Sequence, residues 1–295
     1  MTNTPMKHKN FHVEPFFHEG SSTFSYVVHD GQHAAVIDPV LDFDNVSGRT
    51  STTDAEKIVA YVQENNLKTQ WILETHAHAD HLSAAPFIKR QLGGHIAIGE
   101  HISKVQAIFG EIFNDRQILE GRFPAFDKTF TDNEGFFIGR LRAKFMHTPG
   151  HTPACGVYVI EDTAAFVGDT IFMPDAGTAR CDFPGGSAER LYKSITEKIF
   201  ALPDSTTLYM CHDYGAGGNR PVANETTVAK EKETNIHVGD GASLEAFVKM
   251  RTDRDATLDL PQLIVPSVQV NIRGGELPPA EDNGVRYIKI PLDKL

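Results

Sequence analysis

Residues Thr75–His81 read THAHADH and follow directly on the apolar run Trp71-Ile72-Leu73. A strand that ends by setting out His76, His78, Asp80 and His81 constrains the chain more than any other stretch. Imidazole and carboxylate are the ligand types of divalent transition metals. A lone histidine at a strand end is ordinarily a hydrogen-bonded surface residue, but histidines alternating behind a strand have little packing use.

Three further places put a ligand-type residue just past an apolar run: His151 in HTPGHTP, Asp169 in FVGDT and His212 in YMCHDY. Each residue alone reads as a turn or a satisfied side chain. In combination, they predict a metal site assembled where several strand ends converge.

The rest of the chain supplies the scaffold. Phe11–Phe17, Thr23–Val28 and Ala34–Val40 predict a strand meander. A helical period covers Thr53–Asn65, a strand Thr69–Glu74, a helix His81–Leu92 stopped by Gly93-Gly94, a strand His95–Gly99 and a helix His101–Phe113. Strands follow at Lys128–Thr131, Phe136–Ile138, Arg140–His147, Cys155–Ile160 and Ala164–Val167. A helix at Ser187–Phe200, a strand at Thr207–Cys211 and helices at Asn224–Asn235 and Ser243–Met250 complete the pattern. Beyond Pro261 the Pro- and Gly-rich sequence predicts an extended, wrapping tail. Mixed halves of this kind fit an α/β fold with two facing sheets and helices outside.

Composition narrows the function. The 295 residues carry a net charge of −11, a poor match to a phosphate backbone, so no nucleic-acid partner is expected. Cys155, Cys181 and Cys211 are the only cysteines and form no CxxC pair, which points to a reducing compartment. The N-terminus has no apolar core of signal-peptide length, and no apolar run approaches the roughly 20 residues of a membrane helix. A cytoplasmic location away from membranes is the expectation.

Taken in order, HxHxDH, His151, Asp169 and His212 resemble the metallo-β-lactamase superfold, an αββα sandwich with its metal site at one edge. The resemblance covers about residues 11 to 235, leaving about 236–295 as a C-terminal extension of one domain spanning 1–295. TPGHT at 148–152, VGDTIF at 167–172, ARCDF at 179–183 and CHDYG at 211–215 are similar to the persulfide dioxygenases, whose better-known members have Arg-Thr-Asp where this chain has Arg180-Cys181-Asp182.

That resemblance implies one Fe(II) per chain held by His76, His151 and Asp169, with His78, Asp80, His81 and His212 around it. It implies that glutathione persulfide, O₂ and water are converted to glutathione and sulfite, with O₂ as co-substrate. Open positions on a metal held by two histidines and one carboxylate would bring sulfur and O₂ together. The residues themselves suit iron and zinc equally. A two-metal hydrolase of glutathione thioesters stays open, with His76, His78 and His151 on one metal, Asp80, His81 and His212 on the other, and Asp169 bridging. A non-catalytic sulfur or metal sensor is a third reading. Glutathione carries two carboxylates, so a basic pocket is expected, with Arg180, Arg220 and Lys230 as candidates and Tyr214 as a hydrogen-bond donor. Arg140, Arg142 and Lys144 read as a solvated strand face, and Cys181 as a buried small residue. The long tail could pack on a second subunit, which makes a homodimer one assembly the sequence allows.

Overall fold

Side-chain alternation sets which way each strand faces. In Thr23–His29 and His33–Ile37, the residues Val27, Ala34 and Val36 turn to one side together with Ile72. Tyr26, Val28, Ala35 and Ile37 turn to the other side with Leu73. Both sides are buried, so this sheet is covered on two faces. The computed structural model, which describes residues 8–294, shows how.

One six-stranded sheet runs in the order His12–His18, Thr23–His29, His33–Ile37, Lys68–Leu73, His95–Gly99, Lys128–Phe130. Its last four strands are parallel, which requires crossovers, and helices supply them. A second six-stranded sheet runs Gly135–Ile138, Leu141–His147, Gly156–Ile160, Ala164–Phe166, Thr207–Tyr209, Glu225–Thr227. The main core lies between the sheets, where Tyr26, Leu73 and Phe130 of the first meet Phe145, Tyr158 and Phe166 of the second. Ile58, Val62 and Ile88 of helices Thr53–Glu64 and Ala85–Leu92 cover the outer face of the first sheet. Leu191, Ile195, Ile199 and Phe247 cover that of the second. They come from helix Ala188–Lys193 with its π-helical continuation Ser194–Ile199, and from Leu244–Asp255. The layers are helix, sheet, sheet, helix, the αββα sandwich that the sequence implies.

Four local expectations are corrected. The strand expected through Val40 breaks at Asp38, whose φ is +48, and Val40–Asp44 joins a small sheet with Arg49–Ser51 and Leu82–Ser83. For the same reason the helix expected from His81 starts only at Ala85: Leu82 and Ser83 are drawn into pairing with Leu41 and Val40, and Pro86 then opens the helix. Within Asn224–Asn235, Glu225–Thr227 is first an edge strand, and the Thr227 hydroxyl then caps helix Val228–Thr234. The largest correction is the tail. Ile264–Asn271 is a helix, with Ile264, Val268 and Ile272 packed against Ile102, Val105 and Phe109. Pro266 falls in its first turn, where a missing N–H breaks no intrahelical bond. Val238, Phe247 and Ile264 lie in the cores, so residues beyond about 235 contribute to the packing of the sandwich. Among the described residues, no helix is long and apolar enough to cross a membrane.

Candidate metal centre

Strands of both sheets discharge at one edge. His76–His81 follow Lys68–Leu73, His151 follows Leu141–His147, Asp169 follows Ala164–Phe166 and His212 follows Thr207–Tyr209. Gly150 lets the His151 turn close, because a Cβ there would lie 2.3 Å from Leu191 Cα, and its φ is +153.

His76, His151 and Asp169 form a buried group. The Nε2 atoms of His76 and His151 stand 3.8 and 3.7 Å from one carboxylate oxygen, Asp169 Oδ2. Those separations are too long for hydrogen bonds. Each ring is held from behind. His151 Nδ1 donates to the Arg180 carbonyl at 2.7 Å, which fixes the proton on Nδ1 and leaves Nε2 as a bare lone pair. His76 Nδ1 lies 3.0 Å from Thr75 Oγ1. That hydroxyl donates to Asp38 Oδ2 at 2.8 Å, so it accepts from His76, and Nε2 is again bare. Burial, followed by the charges of His78 and His151, drives the His76 pKa well below the ordinary histidine value.

A second group joins His78, Asp80, His81 and His212. It carries more internal contacts. Asp80 Oδ2 is 3.2 Å from His81 Nδ1 and 3.4 Å from His212 Nε2. His78 Nε2 reaches Asp38 Oδ1 at 3.1 Å and Glu74 Oε2 at 3.4 Å. The two-metal expectation sets His78 beside His76 and His151; in the structure its ring centroid lies 4.0 Å from that of His76, and two buried carboxylates take its Nε2 and leave Nδ1 unpartnered. Asp169 still faces both ways, with Oδ1 3.4 Å from His212 Nε2.

Nε2 of His76, His81 and His212, Nδ1 of His78 and Oδ1 of Asp169 are buried without a hydrogen-bond partner among the described residues. Buried polar atoms are rarely left so. Five lone-pair donors converging at one strand edge fit a divalent cation, and the nitrogen and oxygen donor set suits iron or zinc.

A cavity of about 630 Å³ opens over this centre, touching His151, Asp169 and His212. Phe172, Phe183 and Ile236 make its walls largely apolar. Tyr214 lines it, half exposed, with its ring parallel to His212. Arg180 lines it too, but its guanidinium is forked on Asp182 at 2.6 Å and bonded to the Asp259 carbonyl. Arg220 and Lys230 do not line the cavity. Arg220 is clamped between Asp175 and Asp213, and Lys230 is exposed on helix Val228–Thr234. Sequence reasoning missed Arg251 and Arg254, both of which line the cavity from helix Leu244–Asp255. Arg251 is buried on Asp255; Arg254 is exposed and makes no ion pair with a described residue. It also missed Asp38 and Glu74, although Asp38 ends an apolar run as plainly as the metal-type residues do.

The profile of the metallo-beta-lactamase superfamily matches residues 18–212. The chain belongs to this superfamily. Across the family, names diverge. The chain is 51% identical to a probable metallo-hydrolase of Burkholderia pseudomallei, over 96% of this chain and 99% of that one. It is also 51% identical to glyoxylase B2 of Dictyostelium discoideum, covering 96% and 97%. It is 31% identical to the mitochondrial persulfide dioxygenase ETHE1 of Bos taurus, covering 91% of each. The crystal structure of ETHE1 from Myxococcus xanthus superposes with a TM-score of 0.72 at 26% identity, over 90% of this chain and 99% of that one.

Proposed function

We propose that this superfamily member is a non-haem Fe(II) persulfide dioxygenase that oxidises glutathione persulfide with O₂ to sulfite and glutathione. One observation carries the reading: two tethered imidazoles, His76 and His151, share one oxygen of Asp169 at 3.8 and 3.7 Å. Two histidines and one carboxylate are the donor set of mononuclear iron oxygenases. The likeness to the Bos taurus persulfide dioxygenase supports the same choice.

In this reading His76, His151 and Asp169 hold one iron. When bound, the iron supplies redox chemistry and open positions for sulfur and O₂. The chain does the rest. Asp38, through Thr75, and the Arg180 carbonyl hold the two imidazoles in the tautomer that presents Nε2. Phe172 and Phe183 keep the reacting end of the substrate dry. Tyr214 offers a hydroxyl at the wall. Arg254 offers a guanidinium without a carboxylate partner to a glutathione carboxylate. Arg180, already on Asp182, acts mainly through its backbone.

The test is anaerobic loading with Fe(II), metal analysis, and an oxygen electrode after addition of glutathione persulfide. One iron per chain, O₂ uptake and sulfite release are expected; an iron-loaded chain that consumes no O₂ overturns the reading. A second reading has its own observation. Asp169 Oδ1 lies 3.4 Å from His212 Nε2 while Oδ2 faces His76 and His151, so the carboxylate could bridge two metals in a hydrolase of glutathione thioesters. The same experiment separates them: two metals per chain, no O₂ uptake and thioester hydrolysis belong to the hydrolase.

A further inference from the structure

We infer that Asn271, on the C-terminal helix Ile264–Asn271, is a positioning residue of the metal centre: it fixes the backbone of the loop bearing His78, Asp80 and His81 and thereby sets metal affinity. The inference rests on reading the cluster as a metal centre and is independent of which reaction runs there.

The loop from His76 to His81 has no regular hydrogen-bonding pattern of its own, yet it is largely buried, and buried carbonyls need donors. Asn271 provides them. Its Nδ2 donates to the His78 carbonyl at 2.9 Å and to the His81 carbonyl at 2.8 Å, while Oδ1 accepts from the Ser83 N–H at 2.8 Å. Both amide protons and the amide oxygen are used, and the side chain is 4% exposed. One residue thus ties down both flanks of Asp80 across a sequence separation of 190.

The anchor is itself held. Ala77 and Ala79, the small residues between the candidate ligands, share an apolar cluster with Ile264, Val268 and Ile272 of the C-terminal segment. The alternation of THAHADH therefore has two customers: the donors face the centre and the alanines face this segment. On the far side of Asn271, a Cβ on Gly275 would sit 2.9 Å from the Ser83 carbonyl and 2.6 Å from Pro86 Cδ, so the chain passes too close for any other residue. Arg273 then bonds Asp115 and Gln117 at 2.8 Å each.

Chemistry at the position is narrow. Asn271→Asp would put acceptors against two carbonyls, and Asn271→Leu would leave two carbonyls and an N–H unpaired. Loss of a group that orients metal ligands typically weakens metal binding by about 10–100-fold.

The test uses the full chain and zinc(II), a redox-inert probe, in chelator competition well below the melting temperature. Asn271→Asp and Asn271→Ser are expected to bind zinc about 10–100-fold more weakly than wild type. A purely structural role would lower the apo melting temperature and leave the affinity of the folded protein unchanged; that result overturns the inference. A wild-type chain that takes up neither zinc nor iron overturns the metal reading and this inference together. Wild type that binds metal but consumes no O₂ sinks only the dioxygenase reading. Should neither variant fold, hydrogen exchange on the wild type decides. Zinc is expected to slow exchange of the Ser83 amide and of residues 264–275, which hold no candidate ligand, several-fold. Equal exchange with and without zinc overturns the inference.

Discussion

The two donor groups at the sheet edge are built from the same residue types and differ in what already occupies them. In the first, His76 and His151 bond outward, to Thr75 and the Arg180 carbonyl, and their inner nitrogens stay beyond hydrogen-bond reach of Asp169. In the second, Asp80 is spent on His81 and His212, and His78 on Asp38 and Glu74. Residue identity alone makes these groups equivalent; their partners do not. The contacts of the second group fall on His78 Nε2 and His81 Nδ1, while His78 Nδ1 and His81 Nε2 stay unpartnered, so that group is braced by carboxylates without being closed to a metal.

The largest expected effect falls on the residue the two groups share. Asp169→Ala should abolish both iron retention and O₂ uptake, read by metal analysis and the oxygen electrode; a variant with wild-type activity would break the assignment outright. Next, Asp80→Ala should keep one iron per chain and lose activity by roughly 10–100-fold, the usual cost of removing a residue that supports ligands without being one. If Asp80→Ala instead lost half of a two-metal complement, the second group would be a true metal site and the hydrolase reading would gain.

Asn271 and Arg254 show why part of this site could not be read from sequence. The motif THAHADH was legible because its donors are local and its spacing needs only a strand end to make sense. His151, Asp169 and His212 were legible because each repeats that strand-end pattern. Arg254 and Asn271 sit on helices, where a charged or amide residue is ordinary; only the fold brings Arg254 to the cavity wall and Asn271 to the His78 and His81 carbonyls. The helix Ile264–Asn271 was hidden by the prolines and glycines around it, which in fact fall in its first turn and after its end. Arg220 and Lys230 stand outside the lining of this cavity for the converse reason. A cation close in sequence to a metal motif can be claimed by a nearer acid, as Arg220 is by Asp213, or point away on a helix.

A smaller effect tests the cavity's charge. Arg180 and Arg251 are neutralised by Asp182 and Asp255, leaving Arg254 as the cavity-lining arginine without an ion pair among the described residues. Because Arg254 is exposed, its contribution is screened. Arg254→Ala should raise KM for glutathione persulfide by roughly 3–10-fold with kcat unchanged, the mark of a contact made equally in ground and transition states. A persulfide without carboxylates should show no difference between variant and wild type. A fall in kcat with KM unchanged would place Arg254 in the chemistry rather than in binding.

The smallest effect is expected at Cys181, the one position where the ARCDF segment departs from the Arg-Thr-Asp of the better-known persulfide dioxygenases. A thiol close in sequence to Asp169 and to the Arg180 carbonyl that holds His151 invites a role in carrying sulfur, but only a thiolate is a competent nucleophile. Cys181 is buried, and burial, reinforced by the charge of Asp255, pushes its pKa well above the ordinary thiol value. Its backbone N–H, not its sulfur, makes the useful contact, donating to Asp255 at 2.8 Å, and any residue but proline keeps that bond. The thiol packs with Leu191 and Phe247 on the helix side of the second sheet, and Cys181 does not line the cavity. Cys181→Ala should therefore leave O₂ uptake within about twofold and cost about 1 kcal/mol of stability, the ordinary loss for a small core truncation. Native wild-type protein should resist iodoacetamide at this residue. Rapid alkylation together with loss of turnover in the variant would show a working thiol, and the proposed reaction would then need a sulfur-handling partner outside both donor sets.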